Sequence, residues 1–567
     1  MQAYNPLMTE PIYLDILGLV FFTALFLSLF FVPVTIILAR RVGAVDVPKG
    51  RSSHLIPTTR LGGLGIAGSL IISCLMFLPS NDFSHAFLAG LLAIVVTGLV
   101  DDIVDIGPRW KFVGQIAASS LFVWLGGVSL VHLGDFLGIG EITLTWFAMP
   151  FSIFCMVGGM NALNLSDGLD GLAAGLSAIA VVFLAYFSWH AGAADLLLVC
   201  LALLGALMGF LRYNSYPAKL FMGDCGSLTL GYVLTAVLVS GSQRNGHQIP
   251  LVAWAMVIAL PLLDTLLVMG RRMYHGESPF LPDRTHLHHR LMALGFAHPG
   301  VVAVMYAAMA IFGGLSIFLL GYPDWYAFVG LFLTGIVLFG GVSGLQHFGF
   351  NVNTGRRKRT FTTVTQWPIY KRIAETITLY IVPVSVLIFT LISLPVLFFP
   401  LPELNHNEVL VLFMLAAVVA FYSFHLPLTN KGMLHGSIYV SIFGLIFLYN
   451  CGGIGDGHWP RVYLTTISVL TFLWVLVKIV FSNKIVLLKP SSFELLMVLL
   501  SWFVPFVVFQ EVRLPTAVIE AGRLACLQTL PFLLATKIYF NVRPQADRWV
   551  VGTLVSVIVI AALRGLA

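Results

Sequence analysis

Charge is what this chain has least of. Only 10% of its 567 residues are Asp, Glu, Lys or Arg, 59% are hydrophobic, and the mean hydropathy is +0.95. That balance excludes an ordinary soluble domain and fits a polytopic membrane protein. Long polar stretches are missing as well. The longest, residues 271–299 and 345–372, are each too short for a core of their own. Cysteine is sparse: Cys74, Cys155, Cys200, Cys225, Cys451 and Cys526 are scattered and none forms a C-x-x-C pair. Neither a zinc site nor a disulfide framework is expected, and most of these thiols read as small packing residues. No cleavable signal peptide is expected either. The first apolar run, residues 14–39, is too long for an h-region and reads as an anchored span.

What is present is a succession of apolar runs of about 20 residues, the length a bilayer-crossing helix needs. The fold class expected is an all-α polytopic membrane protein of about 18 transmembrane helices. Their cores lie near 14–39, 63–79, 85–100, 112–131, 143–160, 172–190, 195–211, 226–241, 248–269, 301–321, 324–343, 374–400, 408–425, 433–450, 462–481, 492–509, 517–536 and 549–564. Glu10 precedes the first run, Asp15 lies at its start and Arg40-Arg41 follow it, so the positive-inside rule puts the N-terminus outside. Threading from there collects Lys and Arg in alternate loops, from Lys49, Arg51 and Arg60 through Arg271, Arg272, Arg284 and Arg290 to Arg356-Arg357-Lys358-Arg359. The opposite loops hold little beyond Arg244, Arg461 and Arg513. An even number of crossings then leaves the C-terminus outside too. Residues 1–344 carry the recognisable chemistry in about 11 spans, 345–373 form a basic cytoplasmic linker, and 374–567 add about seven spans of unknown role.

The few acidic residues are not scattered. Threading brings Asp101-Asp102, the segment Asn161-Ala-Leu-Asn164-Leu-Ser-Asp167-Gly-Leu-Asp170, the turn Phe221-Met-Gly-Asp224-Cys-Gly-Ser227, Asp264 and the loop Asp283-Arg284-Thr-His286-Leu-His288-His289 to the cytoplasmic face. An Asp at mid-bilayer costs roughly 2.5–3.5 kcal/mol on insertion scales, and interfacial placement avoids most of that. Adjacent carboxylates such as Asp101-Asp102 repel and need a cation or a shared proton, although Lys111 also fits as an ordinary partner. Asp167 and Asp170 suit the N-terminus of the next helix, but Asn161 and Asn164 at helical spacing before them do not follow from capping. Oxygen donors at that density suit a hard cation or sugar hydroxyls. Asp224 sits between two glycines, as a Mg²⁺ ligand or a plain Asx turn can. The histidine loop lacks a nearby Cys, its spacing is poor for zinc, and its arginines suit phosphate. Lys49-Gly-Arg51-Ser-Ser-His54 and Arg60-Leu-Gly62-Gly63 meet either a phosphate or an anionic lipid surface, and the glycines also suit close helix packing.

Taken in order and spacing, Asp101-Asp102, N-A-L-N-L-S-D-G-L-D-G-L-A, F-M-G-D-C-G-S and P-D-R-T-H-L-H-H-R-L resemble the polyprenyl-phosphate N-acetylhexosamine-1-phosphate transferases over residues 14–343. The form of the histidine loop is similar to the branch that starts O-antigen, enterobacterial common antigen or teichoic acid linkage synthesis. The peptidoglycan branch usually has three adjacent His, a run that Leu287 interrupts here. The resemblance implies a Mg²⁺- or Mn²⁺-dependent phosphoglycosyltransferase of the bacterial inner membrane, multi-pass, with its active site on the cytoplasmic face. It would move a HexNAc-1-phosphate, GlcNAc-1-phosphate above all, from a UDP-sugar to undecaprenyl phosphate, release UMP, and so initiate a cell-envelope polysaccharide such as lipopolysaccharide. It implies Asp224 as metal ligand and Asp101 or Asp102 as the catalytic group that positions or deprotonates the lipid phosphate. Lys111, Asn164, Asp167 and Asp170 would shape the nucleotide–sugar pocket, and Arg284, His286, His288 and His289 would contact phosphate or sugar. The partners implied are a UDP-N-acetylhexosamine, undecaprenyl phosphate and membrane lipids, without nucleic acid; a homodimer is left open.

Two other readings are weighed against this one. A phospho-MurNAc-pentapeptide transferase keeps the chemistry and changes the sugar. A secondary transporter wants ionisable groups near the midplane and symmetric halves, whereas here the acids gather at one face within the first 290 residues.

Overall fold

Among the described residues helices form along most of the expected apolar runs, the expected spans 408–425 and 492–509 lying largely outside those residues, and glycine decides how closely the helices pack. The computed structural model describes residues 11–46, 58–244, 249–278 and 285–352, and beyond these chiefly 368–393, 395–398, 432–452, 459–480, 516–542 and 547–566. The chain divides into two units, Met1–Gly355 and Arg356–Ala567.

The first unit is helical: α1 (Pro11–Val42), α2 (Gly62–Phe77), α3 (Asp82–Val104), α4 (Pro108–Gly126), α5 (Ala148–Ser166), α6 (Leu172–His190), α7 (Ala194–Asn214), α8 (Gly223–Ser242), α9 (Leu251–Met256), α10 (Ala259–Tyr274), α11 (Leu287–Ala293), α12 (His298–Phe318), α13 (Asp324–Gly335) and α14 (Gly341–His347). A π-helical turn over Ile336–Gly340 joins the last two. Two short antiparallel ladders complete it. Val45–Asp46 (β1) pairs with Thr58–Thr59 (β2), and His132–Gly134 (β3) with Ile142–Thr143 (β4). Among the described residues eight helices are long and apolar enough to cross a membrane.

The centre is α8, whose whole apolar window is buried within the protein, with α6 and α7 nearly so; the last span, at 17%, is peripheral. Missing side chains allow this packing. A Cβ at Gly63 of α2 would lie 2.0 Å from the Gly226 nitrogen of α8, so the two backbones touch there. The glycines after Arg60 therefore serve helix contact, as close approach requires. The single expected span 248–269 is two helices instead. Pro261 lacks an N–H and its ring opposes the carbonyl of residue 257, where α9 ends, so the helix breaks at Val257–Ile258.

Two turns aim the site residues. After Asp101-Asp102, α3 ends at Asp105 in the left-handed region (φ +56°), and Pro108 at the first position of α4 starts the return. Lys111, one turn into α4, thereby comes back onto the end of α3. The β1–β2 ladder is stitched to the turn before α8, since Phe221 N–H donates to Thr59 O (2.8 Å) and Gly62 N–H to Phe221 O (3.0 Å).

The second unit is also helical, over Pro368–Ser393, Pro395–Phe398, Gly432–Gly452, Trp459–Val480, Thr516–Val542 and Asp547–Leu566. Three of these helices share an amide contact. Asn450 Nδ2 donates to Gln528 Oε1 (2.8 Å), Gln528 Nε2 to Thr465 Oγ1 (2.9 Å), and Ser468 Oγ to Gln528 O (2.9 Å).

Candidate active site

The N-terminus of α8 is held by a carboxylate from another helix. Asp102 Oδ1 accepts from Asp224 N–H (2.8 Å) and Oδ2 from Cys225 N–H (3.0 Å), filling two donors that an α-helix leaves free at its start. Gly223 makes the approach possible. It has φ +72°, and a Cβ there would lie 2.2 Å from Arg60 O and 2.6 Å from each Asp102 oxygen.

Asp224, in the first turn of α8, then faces side chains from α4 and α5. Lys111 Nζ lies 2.8 Å from Asp224 Oδ2 and 2.7 Å from Asp101 Oδ2. Asn164 Nδ2 donates to Asp224 Oδ1 and to Ser227 Oγ, the latter at 2.8 Å. Asn161, one turn earlier, exchanges two hydrogen bonds with Gln115 and so fixes α5 against α4. Asp101 is buried, and its Oδ1 has no hydrogen-bond partner. A buried carboxylate oxygen left bare is costly and marks a place for a cation or a donor.

Beside this cluster opens a cavity of about 430 Å³, lined by Asp46, Arg60, Asp102, Asn164, Asp167, Gly168, Leu169, Asp170, Asn214, Phe221, Gly223, Asp224 and Ser227. Its lining includes five carboxylates and a single cation, Arg60, itself paired with Asp46 at 2.7 Å. Burial, reinforced by the charges of Asp224, Asp102 and Asp170, pushes the Asp167 carboxyl up to about 7. A wall so acidic favours a cation over a bare anion.

The loop carrying Asp167 and Asp170 is fixed from several sides. Asp170 Oδ2 accepts from Ala218 N–H (2.9 Å), and Asp170 N–H donates to His298 Nε2 (3.1 Å). Asn214 Oδ1 accepts from Gly171 N–H (2.9 Å) while its Nδ2 donates to Leu220 O (3.0 Å), tying two cavity walls together. Neither Asp caps α6; Gly171 occupies that position without a side-chain bond. Lys219 lies nearby with its ammonium pKa lowered by burial and by Arg212.

The structure thus gathers Asp101, Asp102, Lys111, Asn164, Asp167, Asp170 and Asp224 in and beside one cavity. The histidines stand behind it. His286 and His288 are buried, and the His288 ring packs on Gly168 from outside the cavity, with His289 next to it at 4.2 Å between ring centroids. Arg284 lies outside the described residues, as do Lys49, Arg51 and His54. Sequence reasoning gave no role to Gln115, Asn214 or Ser227. Asn214 and Ser227 are polar side chains near helix ends and Gln115 lies two turns into α4; polarity in an apolar chain was the available signal.

The donor set is one of oxygen atoms, the chemistry of a hard cation. Among the described residues no three acidic, His or Cys side chains already form a metal cage. Mg²⁺ does not require one, because it is usually held by one or two carboxylates together with waters and substrate phosphates. Asp224 and Asp101, bridged by the Lys111 ammonium and with one Asp101 oxygen bare, fit that pattern.

Residues 84–242 match the glycosyl transferase family 4 model. Over 346 residues the chain is 32% identical to a probable undecaprenyl-phosphate N-acetylglucosaminyl 1-phosphate transferase of Bacillus subtilis, covering 60% of this chain and 95% of that protein. It is 35% identical over 338 residues to the decaprenyl-phosphate N-acetylglucosaminephosphotransferase of Mycobacterium tuberculosis, covering 53% and 82%. It is 32% identical over 339 residues to the undecaprenyl-phosphate alpha-N-acetylglucosaminyl 1-phosphate transferase of Escherichia coli K12, covering 58% and 89%.

Proposed function

Since this chain belongs to the polyprenyl-phosphate N-acetylhexosamine-1-phosphate transferase family, we propose that it transfers GlcNAc-1-phosphate from UDP-GlcNAc to undecaprenyl phosphate and releases UMP. One observation carries the reading. Asp102, Asn164 and Asp224, from three separate sequence motifs, meet with Lys111 in one hydrogen-bonded cluster at the wall of an acidic cavity. The product would initiate a cell-envelope polysaccharide. The full topology we propose has about eighteen crossings with both termini outside, in a bacterial inner membrane, the cavity opening on the cytoplasmic face. A homodimer is the assembly to test.

In this reading an oxygen of the lipid phosphate attacks the β-phosphorus of UDP-GlcNAc. The bond from that phosphorus to the oxygen bridging the α-phosphorus breaks, and UMP leaves with the electron pair. Bound Mg²⁺, or Mn²⁺, supplies neutralisation of pyrophosphate charge and orientation of the phosphates. Asp224 and Asp101 are the residues that would hold it. Asp102 keeps the first turn of α8 in place and, with Asp101, faces the incoming lipid phosphate. Lys111 holds a fixed positive charge against Asp224 and Asp101 and so steadies charge that develops beside them. Asn164 orients Asp224, and Asp167 and Asp170 line the nucleotide–sugar side. His286, His288 and His289 stand behind that side, and Arg284 is the residue we propose to contact phosphate.

The test uses purified full-length protein, undecaprenyl phosphate, Mg²⁺ and a panel of UDP-sugars, with UMP as readout. We expect turnover with UDP-GlcNAc, loss with EDTA, and loss of at least about 10²-fold in Asp224→Asn and Lys111→Gln, the scale of removing one transition-state charge contact. Turnover that prefers UDP-MurNAc-pentapeptide, or that survives EDTA and both substitutions, would overturn the proposal.

A further inference from the structure

Asp264 is a buried carboxylate that the chemistry above does not use. It lies on α10, is 4% exposed, and does not line the cavity. Both of its oxygens are spent on one neighbouring segment. Oδ2 is 3.0 Å from His286 Nδ1, and Oδ1 accepts Leu287 N–H at 2.8 Å. A carboxylate only accepts, so Nδ1 of His286 carries the proton and the ring is fixed in orientation. The other end of α11 is held too. Arg290 donates to Ser343 Oγ (2.6 Å) and Gln346 Oε1 (3.1 Å) at α14. Between these two clamps stands His288. Its ring lies parallel to that of His286 (interplanar 7°, centroids 6.0 Å apart), and it is 2% exposed.

His288 has no hydrogen bond at either ring nitrogen. Its place is therefore set by where α11 is put and not by any polar partner. Its Nε2 stands where a Cβ on Gly168 would come within 2.5 Å, so the ring backs the loop between Asp167 and Leu169, both of which line the cavity. A chain of direct contacts thus runs from Asp264 through His286 and Leu287 to His288, and from His288 to the cavity wall.

We infer that Asp264 is a positioning residue for the donor side of the cavity: it seats α11 so that His288 holds the Asp167–Asp170 loop in shape. The inference rests on the proposed reading only for the choice of UDP-GlcNAc as the ligand assayed. Asp264→Asn is the informative change. Asn keeps an acceptor for Leu287 N–H but presents an N–H₂ to His286 Nδ1, which must then give up its proton and take the other tautomer.

Two measurements on the full chain test this. In hydrogen exchange, peptides covering residues 167–171 should exchange faster in Asp264→Asn, while peptides covering 223–242 are unchanged. In turnover, KM for UDP-GlcNAc should rise about tenfold with kcat within about twofold, the scale of one charge-assisted hydrogen bond. Asp264→Glu, which restores a carboxylate, should recover part of the affinity. Unchanged exchange at 167–171, exchange that rises across the whole unit, or a fall in kcat at constant KM would each overturn the inference. Should the wild type fail to use UDP-GlcNAc, the proposed activity falls, and the exchange arm still decides the role of Asp264.

Discussion

Asp102 and Asp224, 122 residues apart, are joined through the backbone: a carboxylate oxygen of Asp102 accepts the Asp224 N–H at 2.8 Å, and its other oxygen takes the next N–H. Its neighbour Asp101 instead meets Lys111 at 2.7 Å. The adjacent pair therefore divides its work, one member building α8 and the other facing a cation. Asp102→Asn keeps one acceptor and turns an N–H₂ toward the second donor, which should cost about 1–3 kcal/mol of stability. Asp101→Asn should abolish UMP release with little change in stability. Thermal midpoints in detergent beside activity will distinguish them; equal midpoints for the two variants would refute the division.

Gly168 is the contact between the cavity loop and the histidine behind it. A methyl at this position would meet His288 Nε2 at 2.5 Å, and that ring, 2% exposed, has little room to retreat. Gly168→Ala should raise KM for the donor about tenfold or more, as small displacements of a positioned loop do. Adding His288→Ala removes the obstacle, so the double variant should bind donor better than Gly168→Ala alone. Strict additivity of the two changes in a double-mutant cycle would show that they do not act on each other.

His288 also sets a pH dependence. Burial, with the His289 and His286 charges adding to it, pushes its imidazole down to about 3 from an ordinary 6.5. Between those values the unfolded chain binds the proton and the folded chain does not. Stability from this group is thus full above about pH 6.5 and is lost as pH falls through the window, by about 2 kcal/mol at pH 5. His288→Gln removes the titration. Its thermal midpoint should fall less between pH 7.5 and pH 5 than that of the wild type, and parallel curves would contradict the assignment.

The long helices of the first unit were legible as apolar runs, whereas α11, Leu287–Ala293, forms in a stretch that carries His288, His289 and Arg290 and read as a loop. Four of the cavity's five carboxylates, Asp102, Asp167, Asp170 and Asp224, were legible because acids are rare in this chain; the fifth, Asp46, stands alone in sequence and was missed. What was not legible had local causes. The break at Val257 follows from Pro261 acting four residues upstream, inside a run whose hydropathy does not change. Asp102 and Asp101 look alike in sequence and differ only in which helix each meets. The histidines read as ligand contacts because sequence reports residue type but not depth; His288 is buried against Gly168, behind the loop that lines the cavity. Asn214 gave no signal beyond being polar at a helix end, since its two hydrogen bonds join walls 40 or more residues apart in one direction and six in the other.

The second unit supplies a control on where the chemistry lies. Asn450 and Gln528 are both buried and meet at 2.8 Å, and Gln528 reaches on to Thr465 at 2.9 Å, so three helices share one amide. In an apolar surrounding such a bond is directional where leucine packing is not, and it sets which helix faces meet. Its net worth is modest, averaging about 0.6 kcal/mol and reaching about 1.7 kcal/mol in membrane helices, because an unfolded helix in lipid finds other partners. Gln528→Leu should therefore lower the stability of this unit by that order and raise hydrogen exchange in residues 432–480. If the reaction belongs wholly to the first unit, UMP release per folded molecule should stay at the wild-type rate. A drop in kcat with exchange elsewhere unaltered would mean that the second unit takes part in turnover, and the activity could no longer be assigned to the cavity of the first unit alone.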